Sequence, residues 1–215
     1  MSLATLAITA GLLQALGYFI YVRKSLRHEV EPNPTTWFMF AYGTVILTVL
    51  ELDLAADWTL LVLPATCAVL AVVVAFLCWK RGTLRWPSHW MDRSAFVVDT
   101  ILTVAYLGVW YAASRDLVTE SERHTLVLAF LVLTNMSTIA EFTPLMKGTC
   151  EDPRSEHPLP WLVWSSAYAT LGYVTYQEAG WESEFMIYPV LNTVLHGFVG
   201  ILALRRYCQL TPSIS

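Results

Sequence analysis

Polar and ionisable side chains inside long apolar stretches are the residues of this sequence best placed to do chemistry. Such groups are costly to bury in a membrane, and they usually mark the pathways of solutes, ions or protons. None belongs to a familiar catalytic motif, so binding and proton transfer are the chemistry that they favour. The candidates are Gln14, Tyr18, Asp99, Glu141, Asn192 and His196.

Asn192 and His196 lie on a polar stripe late in the chain. Residues spaced by three and four share one helical face. The stripe consists of Pro189, Asn192, His196 and Gly200, and the corresponding face of an earlier segment consists of Pro64, Cys67, Ala71 and Ala75. We expect Asn192 and His196 to contact a substrate in the groove between these segments. The alternative is that small residues only permit close packing, with both polar groups bonded across the contact.

Asp99 and Glu141 place carboxyl groups within apolar segments. Each is a candidate to carry a proton or to balance the charge of a cationic substrate. The alternative is a structural role, in which a nearby tyrosine, Arg93 or Lys147 satisfies the carboxyl group.

Gln14 and Tyr18 form a polar line in the first apolar segment, and they precede Ser137 and Glu141 by 123 residues (14 + 123 = 137; 18 + 123 = 141). A central pathway would place such lines in equivalent helices, and we expect Gln14 and Tyr18 to assist in binding substrate. A buried hydrogen bond between Gln14 and Tyr18 would explain half of the pattern without a pathway.

Seven mostly apolar segments must position these side chains. The chain has 215 residues, of which 56% are hydrophobic and 14% charged, and this is too apolar for an ordinary soluble domain. A helix needs about 20 apolar residues to cross a bilayer. We therefore predict an all-α integral membrane protein with seven transmembrane helices, at residues 3–22, 36–52, 58–79, 94–113, 124–146, 160–177 and 185–204.

Basic residues are concentrated at one side of the predicted bundle. Of 13 Lys and Arg residues, only Arg115 and Arg123 fall on the opposite side. Because cytoplasmic loops are enriched in Lys and Arg, we predict an external N-terminus, a cytoplasmic C-terminus and a cytoplasmic loop at 80–93.

Residues near the predicted helix ends are expected to face the membrane interface or solvent. The tryptophans expected in interfacial belts are Trp37, Trp58, Trp79, Trp86, Trp90, Trp161 and Trp181. The acids expected in solvent at the outer side are Glu51, Asp53, Asp57, Glu178, Glu182 and Glu184.

The two halves of the sequence are similar enough to be diverged copies of one three-helix unit. Lys24 aligns with Lys147, Trp37 with Trp161 and Pro64 with Pro189, so the offset drifts only from 123 to 125 residues. We predict a first repeat at 1–80, a linker helix with its loops at 81–120 and a second repeat at 121–215. Because the unpaired helix restores the chain's direction, the two repeats should be parallel.

This three-plus-one-plus-three arrangement resembles the SWEET (MtN3/saliva) sugar transporters and the wider PQ-loop family. The segment Thr143–Lys147 is similar to the proline-kinked end of that family's first helix, with Leu145 where the family has glutamine. Tyr21 stands at the corresponding proline position of the first copy. Asn192 is similar to the asparagine that faces substrate in the third helix, with Cys67 at its counterpart.

The sequences around Trp37 and Trp161 look more like those of uncharacterised bacterial relatives, which carry a Pro-Asn-x-x-Trp loop, than like those of plant sugar transporters. The resemblance implies a bacterial inner (plasma) membrane protein that moves small solutes by alternating access.

Other classes of function find little support. We see no disulfide framework, zinc spacing, phosphate-binding glycine loop or basic patch for nucleic acid, and we expect no cofactor. A retinal protein needs a lysine inside the bundle, whereas Lys24, Lys80 and Lys147 all lie at predicted helix ends.

The sequence therefore predicts a small-solute transporter, not an enzyme, with the lipid bilayer as its surroundings. Two alternatives are a ligand-sensing or sorting receptor of the same fold, and an intramembrane hydrolase that uses His196 with carboxylates. The identity of the solute, proton coupling and homo-oligomer formation remain open at this stage.

Overall fold

The chain folds into seven α-helices in the computed structural model. It describes residues 1–30, 32–81 and 90–208, apart from the side chains of residues 91, 92 and 208. The helices are α1 (Leu3–Leu26), α2 (Pro34–Asp53), α3 (Trp58–Lys80), α4 (Trp90–Ala113), α5 (Glu120–Glu151), α6 (Pro158–Ala179) and α7 (Ile187–Cys208), with a 3-10 turn at Glu184–Met186. The described residues contain no β-strand, so the all-α prediction is confirmed.

Six of the helices are long and apolar enough to cross a membrane, and α6 is not among them. The sequence predicted seven such helices, whereas six in the described part of the chain meet the criteria of length and apolar composition. α6 has 22 residues, about 33 Å of helix, so its length suffices. Its composition is the reason for the difference, because hydroxyl-bearing side chains interrupt the apolar run: Ser165, Ser166, Tyr168, Thr170, Tyr173, Thr175 and Tyr176.

Polar caps define where several helices begin. The side chain of Asn33 accepts hydrogen bonds from the N–H groups of Thr35 and Thr36, and Pro34 occupies the first turn, where its missing N–H costs nothing. Thr119 and Glu122 form a reciprocal capping box at the start of α5. These starts explain why the helices begin close to the predicted positions.

The packing order places the third helix of each end of the chain between its two neighbours. α3 packs against α1 and α2, and α7 packs against α5 and α6. Contacts of α1 with α6 and of α2 with α5 join the two groups, while α4 lies against α5 and, to a smaller extent, α2. Among the described residues, the buried residues of the main hydrophobic core come from every helix except α4, which lies at the periphery.

Polar contacts join the helix ends at the two ends of the bundle. At one end, Arg81 donates to Ser25 Oγ over 3.0 Å and Arg206 to the backbone oxygen of Glu156 over 3.0 Å. At the other end, Thr59 donates to Glu178, and Arg123 forms an ion pair with Asp53. The first set is the end that the sequence predicts to be cytoplasmic.

The tryptophans divide into two groups, and this corrects the expectation that all of them form interfacial belts. Trp37 and Trp161 are buried, with 3% and 1% of their surface exposed. Both lie at the start of a helix that turns this face inward against other aromatic rings. The expected belt tryptophans that are exposed are Trp58, Trp79, Trp90 and Trp181; Trp86 and Arg85 lie outside the described residues.

Two of the expected solvent-exposed acids are held within the protein. Glu51 is 3% exposed in α2, and Asp53 is half-buried and paired with Arg123. Both follow from the length of α2, because its last turn packs against neighbouring helices instead of ending in solvent. Asp57 remains exposed, where it caps α3, and Glu178 and Glu182 are also exposed.

Candidate functional site

A cavity lies between α1, α2, α3, α5, α6 and α7, and candidate residues from the sequence meet there. Tyr18, Glu141, Asn192 and His196 line it. The volume open to the centres of water-sized molecules is about 30 Å³, which is room for one or two waters. The side chains therefore close around a small space, and we call this arrangement the compact conformation.

Aromatic rings form most of the wall. Six of the lining rings are called the aromatic cage below: Tyr18, Trp37, Phe142, Trp161, Trp164 and Tyr168. The ring centroids of Tyr18 and Trp164 are 5.0 Å apart, and those of Trp161 and Trp164 are 4.9 Å apart. These edge-to-face contacts stabilise the wall in a fixed geometry.

His196 lies against the rings of the cage. Its ring centroid is 4.9 Å from that of Phe142 and 4.8 Å from that of Tyr168. One ring nitrogen, Nδ1, is 2.8 Å from the backbone oxygen of Asn192. His196 is thus held in place by its own helix and by aromatic neighbours on α5 and α6.

Asn192 also bonds within its own helix. Its Nδ2 donates to the backbone oxygen of Tyr188 over 3.0 Å, and the side chain is 3% exposed. The amide nitrogen therefore bonds within α7, whereas the alternative considered from the sequence was a bond across the helix contact. Asn192 faces the cavity from α7, opposite Cys67 on α3, and both residues line it.

Glu141 provides the carboxyl group of the cavity. It is 3% exposed, and its Oε1 is buried with no hydrogen-bond partner among the described residues. Gly43 on α2 makes space for it, because a Cβ at this position would lie 2.9 Å from Oε1. A larger residue at 43 would therefore displace the carboxyl group.

Asp99 lies behind Glu141, away from the cavity lining. Its carboxyl group interacts with that of Glu141, and its Oδ1 accepts a hydrogen bond of 2.6 Å from Ser137. Its other oxygen, Oδ2, is buried with no hydrogen-bond partner in the described part of the chain. The two carboxyl groups interact with each other, and Lys147, one of the structural partners considered for them, lies 4.0 Å from Glu151.

A hydroxyl cluster closes another part of the cavity. The Cys67 sulfur is 3.3 Å from Tyr18 Oη and 3.4 Å from Tyr168 Oη, and Tyr168 Oη is 3.1 Å from Tyr188 Oη. Gln14 lies beside Cys67 rather than in the cavity lining. In place of the alternative bond between Gln14 and Tyr18, the structure has a hydrogen bond between Tyr18 and Cys67.

Glu156 is a buried acid that the sequence did not single out. It lies in the loop between α5 and α6 and is 2% exposed. Tyr21 Oη donates to its Oε1 over 3.1 Å, and Trp161 Nε1 donates to its Oε2 over 2.9 Å. Burial raises the pKa of Glu156 to about 7, although these two hydrogen bonds and the Arg206 charge favour the ionised form. Glu156 joins α1 to α6 beneath the cavity.

Trp164 is the other functional candidate that sequence reasoning missed. It contacts the rings of Tyr18, Trp37 and His196, and its Nε1 donates to the backbone oxygen of Gln14 over 3.1 Å. Its spacing of three from Trp161 was the available signal, because that spacing puts both indoles on one helical face.

An aromatic wall with one carboxyl group can hold a solute by ring contacts and charge. Among the described residues, no group of three or more His, Cys, Asp and Glu side chains is arranged to hold a metal ion. The hydroxyl groups near Cys67 bond to one another.

Fold and site together define a helical protein with membrane-spanning helices and an aromatic cavity between them. Comparisons of the chain with protein-family models, curated proteins and solved structures found no match.

Proposed function

We propose that this protein is a small-solute membrane transporter that works by alternating access, with the aromatic cavity as its solute site. The observation that carries the proposal is the position of the cavity, which residues of α1, α2 and α3 line on one side and residues of α5, α6 and α7 on the other. Transporters built from repeats place their substrate sites at such a junction. Relative motion of the two groups would open the cavity to either side of the membrane.

The helix packing supports two repeats joined by a linker helix. α3 contacts α1 and α2 as α7 contacts α5 and α6, and the contact of α1 with α6 has its counterpart between α5 and α2. A twofold axis along the membrane normal relates such contacts. We call α1–α3 and α5–α7 the two triplets. In this arrangement α4 is the linker, and it lies outside both triplets.

Prolines within the helices support motion between the triplets. Pro64 lies inside α3 and Pro144 inside α5. Each removes one backbone hydrogen bond and permits a bend, and neighbouring groups can satisfy the freed carbonyl in a membrane. The residue roles follow from position: Asn192, His196 and Tyr18 contact solute, Gln14 supports Tyr18 through Cys67, and Glu141 with Asp99 carries the counter-charge or a proton.

The protein is proposed to lie in a bacterial inner membrane with its N-terminus outside. Two features support this orientation. Arg23, Lys24 and Arg81 lie at the ends of α1 and α3, and Arg206 lies near the end of α7, so the basic residues are at one end of the bundle. That end is expected in the cytoplasm.

Flux in proteoliposomes tests the proposal. Purified protein is first screened by thermal shift against a metabolite library, because a ligand at a hundredfold its Kd stabilises the folded state by about 2.7 kcal/mol. The best ligand is then loaded into vesicles and its release measured. We expect release from vesicles with the wild-type protein and a strong reduction with Gly43→Ala, since the added Cβ meets the Glu141 carboxyl group.

Gly108→Ala is the matched control for the flux experiment, because a Cβ at this position meets nothing within 4 Å. It should release solute at the wild-type rate. Ligand binding without any flux would contradict alternating access and would favour the receptor function instead.

A further inference from the structure

We propose that the solute is a small organic cation of the alkylammonium type, held by the aromatic cage and the Glu141 carboxylate. The inference rests on the proposed function, since it names the chemical class of solute for the same cavity. Four observations carry it: the aromatic wall, the charge of the lining, the unpartnered oxygen of Glu141, and the partners that other polar groups of the lining already have.

Aromatic faces attract diffuse positive charge. The π-system of each ring is negative at its face, and cages of Trp, Tyr and Phe bind alkylammonium groups for this reason. In this cavity, rings come from α1, α2, α5 and α6, so they surround the space rather than lie along one wall. Trp37 and Trp164, whose ring centroids are 6.0 Å apart, contribute from different triplets.

The charge of the lining has one sign. Glu141 is the acid that lines the cavity, and neither Lys nor Arg is among its lining residues. In the described part of the chain, no Lys or Arg side chain is buried, whereas Glu51, Asp99 and Glu141 are. A buried carboxylate without a charged partner is strongly unfavourable, so Glu141 takes up a proton or pairs with a cation.

The unpartnered oxygen of Glu141 marks where a cation would bind. Its Oε1 is buried without a hydrogen-bond partner among the described residues, and Asp99 adds a second carboxyl group directly behind it. A mobile cation supplies what the fixed side chains do not.

Other polar groups in the lining already have partners, which disfavours a sugar or another neutral polyol. Thr44 donates to the backbone oxygen of Phe40 over 2.6 Å, Thr138 to that of Thr134 over 3.2 Å, and Asn192 to that of Tyr188. A polyol would bury many hydroxyl groups, and each needs a partner in a dry site. A quaternary ammonium group has no N–H and needs none.

The size of the cavity means that it must open before a solute binds. Room for one or two waters does not admit a choline-sized molecule in the compact conformation. Binding therefore has to accompany separation of the cage rings, and Phe142 and Trp164 belong to helices that would move apart from Trp37 on α2.

Calorimetry with two molecules of equal shape tests the inference. Choline carries a quaternary ammonium, and 3,3-dimethylbutan-1-ol is its neutral carbon isostere. Both are titrated into purified wild-type protein in detergent with potassium chloride present, so that small inorganic cations compete. We expect choline to bind and the neutral isostere to bind at least about tenfold more weakly. Equal affinities would overturn the inference without use of any variant.

Variants assign the binding to this cavity. Glu141→Gln keeps the shape of the side chain and should weaken choline at least about thirtyfold, as loss of one partner of a buried charge pair does. Phe142→Leu should weaken it about tenfold by removing an aromatic face. Glu182→Gln, at an exposed position, is the matched control and should bind choline as the wild type does. Unchanged affinity in Glu141→Gln would overturn the assignment.

The native thiol in the cavity supplies a second readout. Cys67 lines the cavity and is 4% exposed, so its alkylation by a small membrane-permeant maleimide requires opening. In a variant that keeps Cys67 alone, choline should slow alkylation and the neutral isostere should not; equal protection by both would contradict the inference. If choline binds but does not cross the membrane of proteoliposomes, the inference about the solute stands and the proposed transport function is wrong. If a neutral solute is transported and choline does not bind, the transport function stands and the inference about the solute is wrong.

Discussion

At the scale of single residues, the buried carboxyl groups differ in what surrounds them. Glu141 lines the cavity and Asp99 lies behind it, and each has one carboxyl oxygen without a hydrogen-bond partner among the described residues. Glu156 accepts bonds from Tyr21 and Trp161 and lies near Arg206. In the proposed function Glu141 meets a proton or a cation, whereas Glu156 connects helices.

Glu156 should make stability depend on pH. Its pKa is about 7 in the folded protein and about 4.5 when exposed. The folded state thus holds this proton more tightly than the unfolded chain. The contribution of Glu156 to the free energy of unfolding should be greatest below pH 4.5 and should fall as pH rises towards 7, by at most about 1.4 kcal/mol per pH unit.

Denaturation in detergent micelles at pH 4.5, 6 and 7.5 measures this dependence. Glu156→Gln should flatten the profile, because the neutral amide does not titrate. Glu151→Gln, at an exposed position, should leave it as in the wild type. An identical slope in Glu156→Gln and wild type would show that other groups cause the dependence.

Sequence reasoning found the residues that contrast with their surroundings. Glu141, Asn192 and His196 are polar within apolar runs, and all of them line the cavity. It missed Trp164 and Glu156, because an indole in an apolar helix looks the same whether it faces lipid or protein, and a loop acid is usually solvated. Only the packing of α6 against α1 distinguishes these cases.

At the scale of helices, glycines set how closely two helices approach. Gly17 on α1 lies against the indole of Trp164 on α6, and a Cβ there would be 2.3 Å from Nε1. The same approach lets Trp164 reach the backbone oxygen of Gln14. The contact between the two groups of helices therefore depends on one missing methyl group.

Gly17→Ala should destabilise the protein by about 1–3 kcal/mol, because the indole must move and its hydrogen bond is lost. Gly108→Ala in α4 is the control and should stabilise by up to about 1 kcal/mol, since it meets nothing and Ala is the better helix former. Denaturation in detergent micelles measures both. If Gly17→Ala unfolds with the same free energy as the wild type, the close approach of α1 and α6 does not contribute to stability.

The positions of the helices could be predicted from the sequence, but the apolar composition of α6 was overestimated. Runs of apolar residues gave α1 to α7 within a few residues, because a helix of bilayer length requires such a run. The shortfall of α6 in apolar character came from hydroxyl side chains that bond to the backbone of their own helix, as Thr170 does to Ser166. The sequence placed Trp37 and Trp161 near helix ends, but it could not tell a membrane interface from a buried end.

At the scale of the whole molecule, the two ends of the bundle differ in charge. Cys150, at the end of α5, lies close to Arg205 and is exposed. Ser121, at the start of α5, is exposed at the opposite end. These two positions on one helix therefore report on the two sides of a membrane.

An impermeant thiol reagent applied to intact cells should distinguish the two sides. Wild-type protein, with Cys150 at the expected cytoplasmic end, should resist labelling, whereas Ser121→Cys should label readily. Permeabilised cells provide the control, since Cys150 should then react. Labelling of wild-type protein in intact cells would reverse the proposed orientation.

The indoles of Trp37, Trp161 and Trp164 give the molecule a spectroscopic property. Their rings stand 4.9 Å apart for Trp161 and Trp164, and 6.0 Å apart for Trp37 and Trp164. Excited states of chromophores this close are shared, which produces paired bands of opposite sign in circular dichroism. Trp37 belongs to α2 and Trp164 to α6, so any motion that parts these helices weakens the coupling. The unlabelled protein thereby carries an optical gauge of the distance between these two helices.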